Sequence, residues 1–451
     1  MTQLLFLELN EISFDGVAHY CARGMLPNFR RLIDSCGWSV TTSETAYEHL
    51  EPWIQWVTAH TGLTFAEHGV FRLGDIVDRD LQQIWESLEQ AGLKVGAICP
   101  MNAKHRLANP SFFVPDPWTP TNISAGGVLT RLAAAISQGV NDNAQRKIDA
   151  RSLGSLALGL AAYARPANYG RYLRLAASAM SKPWRRAMFL DLLLADVYLR
   201  EVSRTQPHFA SLFLNAGAHI QHHYMFSSSF YPGPLRNPEW YSPEGADPVL
   251  EVYELYDHIL GSARDMCPEA RIMIATGLHQ VPFHEVKFYW RLKNHAVFLA
   301  RAEVPFVSVE PRMSRDFLIK CADAAQAEAA AKRLSDAVAA DGLPLFEVDN
   351  RGNDLFVMLT YPRDIPRGFK FSIGKDVYEG FHENVAFVAL KNGEHDGRGY
   401  FLDTGAPKGH HASEFPLTDL PSIIMRTLGV SSKLQQRDSM SQRLLEQEGV
   451  V

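Results

Sequence analysis

The sequence has few cysteines, no block of like charge and no uninterrupted apolar run long enough to cross a bilayer. Its five cysteines, spread over 451 residues, stand far apart and none has CxxC spacing. That pattern disfavours a disulfide framework or a cysteine-ligated zinc site, and favours reduced thiols in a cytoplasmic protein. The most apolar later stretch, residues 153–164, is interrupted by Gly154 and Gly159 and ended by Arg165. It falls short of a spanning segment, so we expect no membrane insertion.

Other absences narrow the class of protein further. The net charge of −6 is small for this length and no basic block is present, which argues against a nucleic-acid partner. Residues 1–13 lack a basic segment followed by a small-residue cleavage site, so we interpret them as a first strand. The composition, 46% hydrophobic and 21% charged, is ordinary for a globular protein with a large core. The expected partner is a small-molecule or oligosaccharide substrate, and a homo-oligomer stays open.

Short β-rich apolar runs alternate with helical patterns along much of the chain. We predict buried parallel strands at Leu4–Leu9, Leu93–Cys99, Ala210–Leu214, Ile272–Ala275 and Tyr400–Leu402. Helices are predicted between strands, for example over Pro27–Ser35 and Leu81–Ala91. This alternation predicts an α/β fold with a doubly wound, mostly parallel sheet. Ligand chemistry in such sheets lies at the carboxyl ends of the strands, where Asn10, Asn215 and Gly277 fall.

Two stretches depart from the alternation and interrupt the core. Residues 125–205 are rich in Ala, Leu and Arg with apolar residues at helical spacing, which predicts a helical insertion. Residues 285–398 predict a small α+β insertion. The core is then built from three segments, residues 1–124, 206–284 and 399–430, and the chain ends in a polar tail over residues 431–451.

Periodicity and turn chemistry predict the elements of the α+β insertion. A strand is expected at Phe317–Cys321 and a strong helix at Ala324–Ala339. A hairpin is expected from Leu345–Val348 and Leu355–Leu359, because residues 350–353 between them have the sequence Asn-Arg-Gly-Asn, which suits a tight turn.

Polar and histidine-containing motifs follow the predicted strands in a distinctive order. In chain order they are Asn10, Glu51-Pro52-Trp53, Thr61-Gly62, His68-Gly69, Asn215-Ala216-Gly217-Ala218-His219, Thr276-Gly277-Leu278-His279 and Gly409-His410-His411. This order resembles the alkaline phosphatase superfamily, in particular its type I phosphodiesterase/nucleotide pyrophosphatase branch. The resemblance covers residues 1–100, 206–284 and 399–430. It implies an alkaline-phosphatase-like core and a hydrolase of phosphate or sulfate esters.

The resemblance also implies a Ser or Thr nucleophile at a metal site, and this chain departs from that pattern. Asn10, Asn215 and Gly277 stand where the family has metal-binding carboxylates, and Glu51 stands where it has the nucleophile. Histidines are kept at His219 and at a second position near the end, His410. Neutral side chains do not offset the repulsion between two adjacent cations, so we expect the two-metal site to be absent. No metal ligand is assigned, and a single atypical divalent ion such as zinc stays open.

Other side chains at the same edge could supply chemistry. The predicted catalytic residues are Glu51, His219 and Glu11, because carboxylates paired with an imidazole suffice for general acid–base catalysis. Two carboxylates flanking a bond are also the glycosidase arrangement. The predicted substrate-binding residues are amides, imidazoles and rings suited to stacking on sugars or bases: Asn10, Asn215, Trp53, His223, Tyr224, His279 and His410.

Some of these residues also fit structural roles. Trp53 and Trp56 lie at i and i+3 on a predicted helix, so we expect at least one to pack in the core. His222 and His223 are adjacent and point in different directions, so one of them is expected to be structural.

Three functions remain open from the sequence. The leading hypothesis is a cytoplasmic hydrolase of this superfamily with a remodelled, metal-depleted site, acting on a phosphorylated or carbohydrate-derived substrate. The second is metal-independent glycoside hydrolysis or glycosyl transfer by Glu51 with His219 or Glu11. The third is a non-catalytic binding protein that keeps the fold after loss of the carboxylates. Metal content separates the first from the other two.

Overall fold

The computed structural model describes residues 1–141, 150–312, 315–407 and 414–430. The strands in these ranges are β1 (Leu4–Leu9), β2 (Ser39–Thr42), β3 (Val95–Ile98), β4 (Phe112–Val114), β5 (Phe209–Leu214), β6 (Arg271–Ala275), β7 (His279–Leu292), β8 (Ser308–Pro311), β9 (Asp316–Lys320), β10 (Ala337–Ala339), β11 (Phe346–Asn350), β12 (Asp354–Leu359), β13 (Phe371–Ile373), β14 (Asp376–Tyr378), β15 (Val385–Asp396), β16 (Arg398–Asp403) and β17 (Glu414–Pro416). The α-helices are α1 (Phe14–Ala22), α2 (Pro27–Cys36), α3 (Pro52–Thr61), α4 (Phe65–His68), α5 (Ile84–Gln90), α6 (Gly127–Asn141), α7 (Ala150–Tyr163), α8 (Tyr169–Ser178), α9 (Arg185–Thr205), α10 (Ala216–Tyr224), α11 (Pro248–Met266), α12 (His295–Arg301), α13 (Ala324–Ser335), α14 (Phe381–Asn384) and α15 (Leu420–Thr427).

An eight-stranded sheet forms the centre of the fold, in the order β17-β2-β16-β6-β1-β5-β3-β4. Every residue of β1 and β5 is buried, as expected for central strands of a sheet covered on both faces. The predicted mostly parallel α/β sheet is confirmed. One strand was predicted in the wrong direction: β16, which contains Tyr400–Leu402, is antiparallel to both β6 and β2. The chain enters β16 directly from β15, and a parallel strand would have needed a crossover connection.

The predicted elements of the α+β insertion are present with one correction. β11 and β12 form the predicted hairpin, and β9 pairs with β12. The helix predicted over Ala324–Ala339 ends at Ser335, because Ala337–Ala339 forms β10 and pairs with β13. Strand pairing here overrides the helix propensity of alanine. This region has its own hydrophobic core, which includes Phe298, Phe317 and Phe346.

A long two-stranded ribbon connects that core with the main sheet. β7 and β15 pair antiparallel from Leu292 and Val385 at one end to His279 and Asp396 at the other. The ribbon thereby sets His395 opposite Gln280, close to the carboxyl edge of the main sheet.

Helices α6 to α9 occupy the stretch predicted as a helical insertion. α7 packs closely on α6, since a Cβ atom at Gly159 would lie 2.6 Å from the side chain of Leu132. None of the described helices is both long and apolar enough to cross a membrane. The predicted polar tail 431–451 and the motif residue His410 lie outside the described residues.

A buried carboxyl group at the start of α5 is expected to make the stability of the protein depend on pH. The carboxylate of Glu86 accepts from the backbone N–H of Gln83 at 2.6 Å, and burial raises its pKa to about 7. Because the folded pKa lies above the unfolded one, the stabilisation is fully present at low pH and is lost as pH rises through about 7. We expect the free energy of unfolding to fall by about 1 to 3 kcal/mol between pH 5 and 8 from this group. Glu86→Gln should flatten that slope in urea titrations, and an unchanged slope would contradict the assignment.

Candidate functional site

The carboxyl ends of the central strands bring together residues that are far apart in sequence. Asn10 and Glu11 follow β1, and Asn215 lies between β5 and α10. The backbone N–H of Asn10 donates to Leu214 and that of Glu11 to Thr276, each at 3.0 Å. Glu11 has a φ of 58°, a left-handed conformation that is uncommon for a residue with a side chain. The strand ends therefore fix the direction in which Glu11 leaves the sheet.

Three side chains converge on one oxygen atom of the buried Glu11 carboxylate. Glu11 Oε2 accepts from Gln280 Nε2 at 2.6 Å. It also lies 3.1 Å from His222 Nε2 and 3.2 Å from His395 Nε2. The two imidazole Nε2 atoms are 3.1 Å from each other. We call Glu11, His222 and His395 the Glu–His–His cluster.

The second ring nitrogen of each imidazole faces an oxygen atom, and for His222 this contact indicates where the hydrogen lies. His222 Nδ1 lies 3.2 Å from the carbonyl oxygen of Gly393, which can only accept, so Nδ1 carries the hydrogen. His395 Nδ1 faces the carboxylate of Glu51 at 3.7 Å. This distance is too long for a hydrogen bond, so it does not fix the tautomer of His395. Neutral His222 with its hydrogen on Nδ1 points the Nε2 lone pair at the Glu11 carboxylate, and a cation between them, either a shared proton or a metal ion, would make that contact favourable.

The electrostatics of the cluster agree with a cationic position. Burial alone would raise the pKa of Glu11, but the imidazoles of His395 and His222 outweigh it and hold that pKa well below its usual value. Burial alone would lower the pKa of His395, but the Glu11 carboxylate outweighs it and raises that pKa. The cluster therefore stabilises a negative carboxylate beside a positive charge.

The donor atoms fit a single divalent cation such as zinc. Among the described residues, three side chains that can ligate a metal ion come close together in this cluster. Atoms bound to one tetrahedral ion at about 2.0–2.1 Å lie about 3.3 Å apart, close to the separations within the cluster. A histidine that binds a metal usually has an acceptor next to its other ring nitrogen. Here the carbonyl of Gly393 lies next to Nδ1 of His222, and the carboxylate of Glu51 lies next to Nδ1 of His395.

The positions that the resemblance associates with carboxylates form a neutral network beside the cluster. Asn10 Nδ2 donates to Asn215 Oδ1 at 2.8 Å and to Glu11 Oε1 at 3.0 Å. The indole of Trp56 donates to Asn10 Oδ1 at 2.7 Å. A Cβ atom at Gly277, whose φ is 72°, would lie 3.0 Å from the same indole. Trp56 therefore takes the space beside Gly277 and fixes the orientation of Asn10.

Glu51 lies at the N-terminus of α3, where it is the N-cap residue. Its side chain is about one-third exposed, with 36% of its area accessible. Burial raises its pKa, and the nearby imidazole of His395 partly offsets that rise. A partly exposed carboxyl of this kind, in contact with the cluster through His395, is suited to exchange a proton with a bound molecule.

His219 and His223 lie on α10 and face a cavity next to the cluster. Their rings are 4.9 Å apart, and both line the cavity with Asn215. His223 Nδ1 donates to the carbonyl oxygen of Leu390 at 2.8 Å. Tyr224 is buried and stacks on a neighbouring ring, Tyr241, at 4.8 Å.

Two other predicted substrate-binding residues make contacts within the protein. His279 is buried and its Nδ1 lies 2.6 Å from the carbonyl oxygen of Arg398, with Asp396 at 3.5 Å. The Trp53 indole donates to the carbonyl oxygen of Phe71 at 3.1 Å. Trp56, the other member of the pair, is the core residue that the i, i+3 spacing predicted. His410 lies outside the described residues.

The sequence interpretation did not single out two members of the site. His395 and Gln280 lie on opposite strands of the β7–β15 ribbon, and only the pairing register brings them to Glu11. His222 was identified only as one of two adjacent histidines with different directions. The structure distinguishes them: His222 contacts Glu11, and His223 donates to the backbone of β15.

No protein-family model matches the chain, and no curated protein is similar to it. Solved structures similar to it include phosphonoacetate hydrolase from Sinorhizobium meliloti 1021 in complex with phosphonoformate, with a TM-score of 0.46, 11% identity and coverage of 94% of this chain and 95% of that chain. Murine ectonucleotide pyrophosphatase/phosphodiesterase 5 gives a TM-score of 0.42 and 12% identity, covering 95% and 96%. A TAB5 alkaline phosphatase mutant with bound Mg gives 0.41 and 9%, covering 95% and 98%. Both the identities and the TM-scores are low, so membership of the resembled superfamily stays a prediction.

Proposed function

We propose that the protein is a hydrolase whose reaction centre is the Glu–His–His cluster with one divalent cation, assisted by Glu51. The observation that carries the proposal is the convergence of Glu11 Oε2 and two imidazole Nε2 atoms within 3.1–3.2 Å of one another. A bound cation would act as a Lewis acid towards a substrate oxygen or water. The centre differs from the two-metal site of the resembled family, whose carboxylate positions are Asn10, Asn215 and Gly277 here.

The surrounding residues hold the ligands in one orientation. Gln280 and Asn10 donate to the two different oxygens of Glu11, so the carboxylate cannot rotate. The carbonyl oxygen of Gly393 fixes the ring of His222. Glu51 then has the role of a general acid–base that receives a proton from, or returns one to, the reacting oxygen.

A group of basic side chains near Glu51 supports a phosphorylated substrate over a neutral one. Lys287 and Lys391 face each other across the β7–β15 ribbon, and burial together with neighbouring cations lowers the pKa of both. Arg315 lies over the ring of Tyr289 at 4.2 Å. None of the three cations forms a salt bridge with another described residue. Like charges opposite each other are unfavourable, so an anionic group of the substrate would stabilise this arrangement.

The alternative function is metal-independent glycosyl chemistry, and one observation favours it. A shared proton could occupy the cationic position of the cluster, while the raised pKa of Glu51 suits a general acid. Glu11 is only 1% exposed and its Oε2 atom already has three polar contacts. These contacts disfavour Glu11 as the second group, and the alternative then pairs Glu51 with His219, the other residue that the sequence predicted.

Cytoplasmic location remains a proposal. All five cysteines are free thiols in the structure, which supports a reducing compartment.

Turnover of a chromogenic phosphodiester, bis-p-nitrophenyl phosphate, tests the proposal. Protein loaded with zinc or manganese is expected to hydrolyse it, and chelation should abolish the activity. Glu51→Gln should lower kcat by about 10²- to 10⁴-fold, because the proton-transfer group is lost while the metal ligands remain. The matched control is Glu48→Gln, an exposed carboxylate on the turn before α3 that should keep full activity.

The pattern of inhibition distinguishes the two functions. An activity that is lost in Glu51→Gln but is unaffected by chelators would favour glycosyl chemistry. Activity should then also be detected with p-nitrophenyl glycosides. Equal turnover in chelated and loaded protein would contradict the metal-dependent proposal.

A further inference from the structure

A large cavity lies next to the Glu–His–His cluster and is separate from the reaction centre described above. Its volume is about 1080 Å³, at the upper end of the range for small-molecule sites. Residues of α6, α7 and α9 line one side, and α10 with the β15 strand lines the other. The helical insertion therefore covers a space that the main sheet alone would leave open.

The walls of the cavity are mostly apolar. Leu156, Leu160 and Leu190 contribute aliphatic surface, and Trp184 and Phe387 contribute rings. Polar side chains form the smaller part of the lining, among them Ser181, Arg186 and Asn215.

The two buried carboxylates on the wall are already occupied by the protein. Asp116 accepts from the backbone N–H groups of Asn102, Trp118 and Thr119. Asp191 accepts from the backbone N–H of Ala216 and from the hydroxyl of Tyr256. Over the apolar part of the wall, a polar ligand such as a sugar would lose its hydrogen bonds to water without replacing them.

One end of the cavity is connected to the cluster through two asparagine side chains. Asn215, His219 and His223 line the cavity. Asn215 accepts from Asn10, whose amide also donates to Glu11. A ligand lying in the cavity can thus place one end beside Asn215, which two hydrogen bonds connect with Glu11.

Apolar side chains that line the cavity are also accessible from outside. Met180 is 83% exposed, Trp240 65% and Val388 39%, and all three contribute to the lining. Exposed apolar groups gathered at an opening mark a site where apolar molecules enter or bind.

We propose that this cavity binds the hydrocarbon chain of an amphiphilic substrate, whose polar head group extends from the Asn215 and His219 end of the cavity towards the cluster. The proposal rests on the proposed function for the head group only, because chain binding needs neither a metal nor turnover. The aliphatic walls, the occupied carboxylates and the exposed apolar rim together favour a chain over a sugar or a base.

Binding of a series of n-alkyl phosphates tests the proposal directly. Dissociation constants of butyl, octyl and dodecyl phosphate are measured by calorimetry on purified protein, below the concentration at which the longest forms micelles. We expect affinity to rise by about fourfold for each methylene that enters the cavity, since each buried methylene contributes about 0.8 kcal/mol. An affinity that does not depend on chain length would overturn the proposal. The proposal would also be overturned if an oligosaccharide or a nucleotide displaced dodecyl phosphate and bound more tightly than it.

Two variants locate the chain. Ala187→Trp fills the cavity from α9 and should weaken dodecyl phosphate binding at least tenfold, with butyl phosphate changed less than twofold. Ser203→Trp places the same side chain on an exposed position of the same helix, away from the cavity, and should change neither. Trp240→Ala at the rim should weaken dodecyl phosphate with little risk to folding, because its side chain is largely exposed. Unchanged chain-length dependence in both Ala187→Trp and Trp240→Ala would place the chain elsewhere and overturn the assignment.

The same titrations in His222→Ala separate this inference from the proposed function. The dependence on chain length should persist there even if the reaction centre is lost. Absence of metal from the wild-type protein with the chain-length dependence intact would refute the reaction centre and leave the cavity assignment standing.

Discussion

Replacing His222 by alanine is expected to abolish the binding of a divalent cation. The side chain provides one of the three atoms that converge in the Glu–His–His cluster, and Glu11 with His395 alone would leave a two-ligand site. Two ligands hold zinc far less well than the three or four of ordinary zinc sites. The wild-type protein should retain about one zinc per chain after dialysis, and His222→Ala should retain none above background. Elemental analysis of the two proteins measures this difference.

Thermal unfolding measures the binding of zinc to the cluster independently. A ligand that binds only the folded state stabilises it by about 2.7 kcal/mol at a free concentration one hundred times its Kd. Added zinc should therefore raise the Tm of wild-type protein that has first been stripped of metal, and leave that of His222→Ala unchanged. Chelation should lower the Tm of the zinc-loaded wild-type protein to that of the stripped protein.

The neighbouring histidine provides the matched control. His223 lies on the same helix but donates its Nδ1 proton to Leu390, and it lies outside the cluster. His223→Ala should keep its zinc and its response to zinc. Equal metal content in the two variants would show that the cluster is not the metal site. Failure of the wild-type protein to take up any metal would indicate that a shared proton occupies the cationic position, in favour of the metal-independent alternative.

The sequence was sufficient to predict the portion of the site that lies at strand ends. β1 and β5 are fully buried and mostly apolar, so their positions and the residues that follow them can be predicted from the sequence. Asn10 and Asn215 were expected at one edge of the sheet, and their side chains do form a hydrogen bond. Gly277 was expected at the same edge, and it packs against the indole that donates to Asn10.

The Glu–His–His cluster could not be predicted in the same way. His395 reaches Glu11 only through the register of a long ribbon, and that register shifts twice, between Phe387 and Ala389 and between Lys391 and Gly393. A shift of one residue moves every following side chain to the other face of a strand. No local pattern in the sequence specifies two such shifts, so the position of His395 depends on tertiary packing.

Replacing Trp56 by alanine is expected to lower the free energy of unfolding by about 3–5 kcal/mol. The side chain is fully buried, its ring meets that of Phe213 edge-on at 5.5 Å, and it packs against Gly277. Removal would leave a cavity at the carboxyl edge of the sheet and would leave Asn10 Oδ1 without its donor. Urea titrations followed by circular dichroism measure the change.

Two further substitutions divide this effect into its components. Trp56→Phe keeps much of the packing but removes the hydrogen bond to Asn10, so we expect a smaller loss of about 1–3 kcal/mol. Trp53→Ala, one turn earlier on α3, removes a partly buried indole that packs against the core and donates to Phe71, and the loss should be clearly smaller than that of Trp56→Ala. Similar losses for the two alanine variants would mean that Trp56 has no special place in the core.

The same variants connect the core with the reaction centre. Asn10 is held by the Trp56 indole on one side and donates to Glu11 on the other, so Trp56 orients a metal ligand through one intermediate residue. Trp56→Phe is therefore expected to weaken zinc binding by about 10- to 100-fold, the usual effect of losing a group that orients a metal ligand. Trp53→Ala should leave zinc affinity unchanged. A Trp56→Phe protein with wild-type zinc affinity would show that the neutral network around Asn10 supports the fold and does not position Glu11.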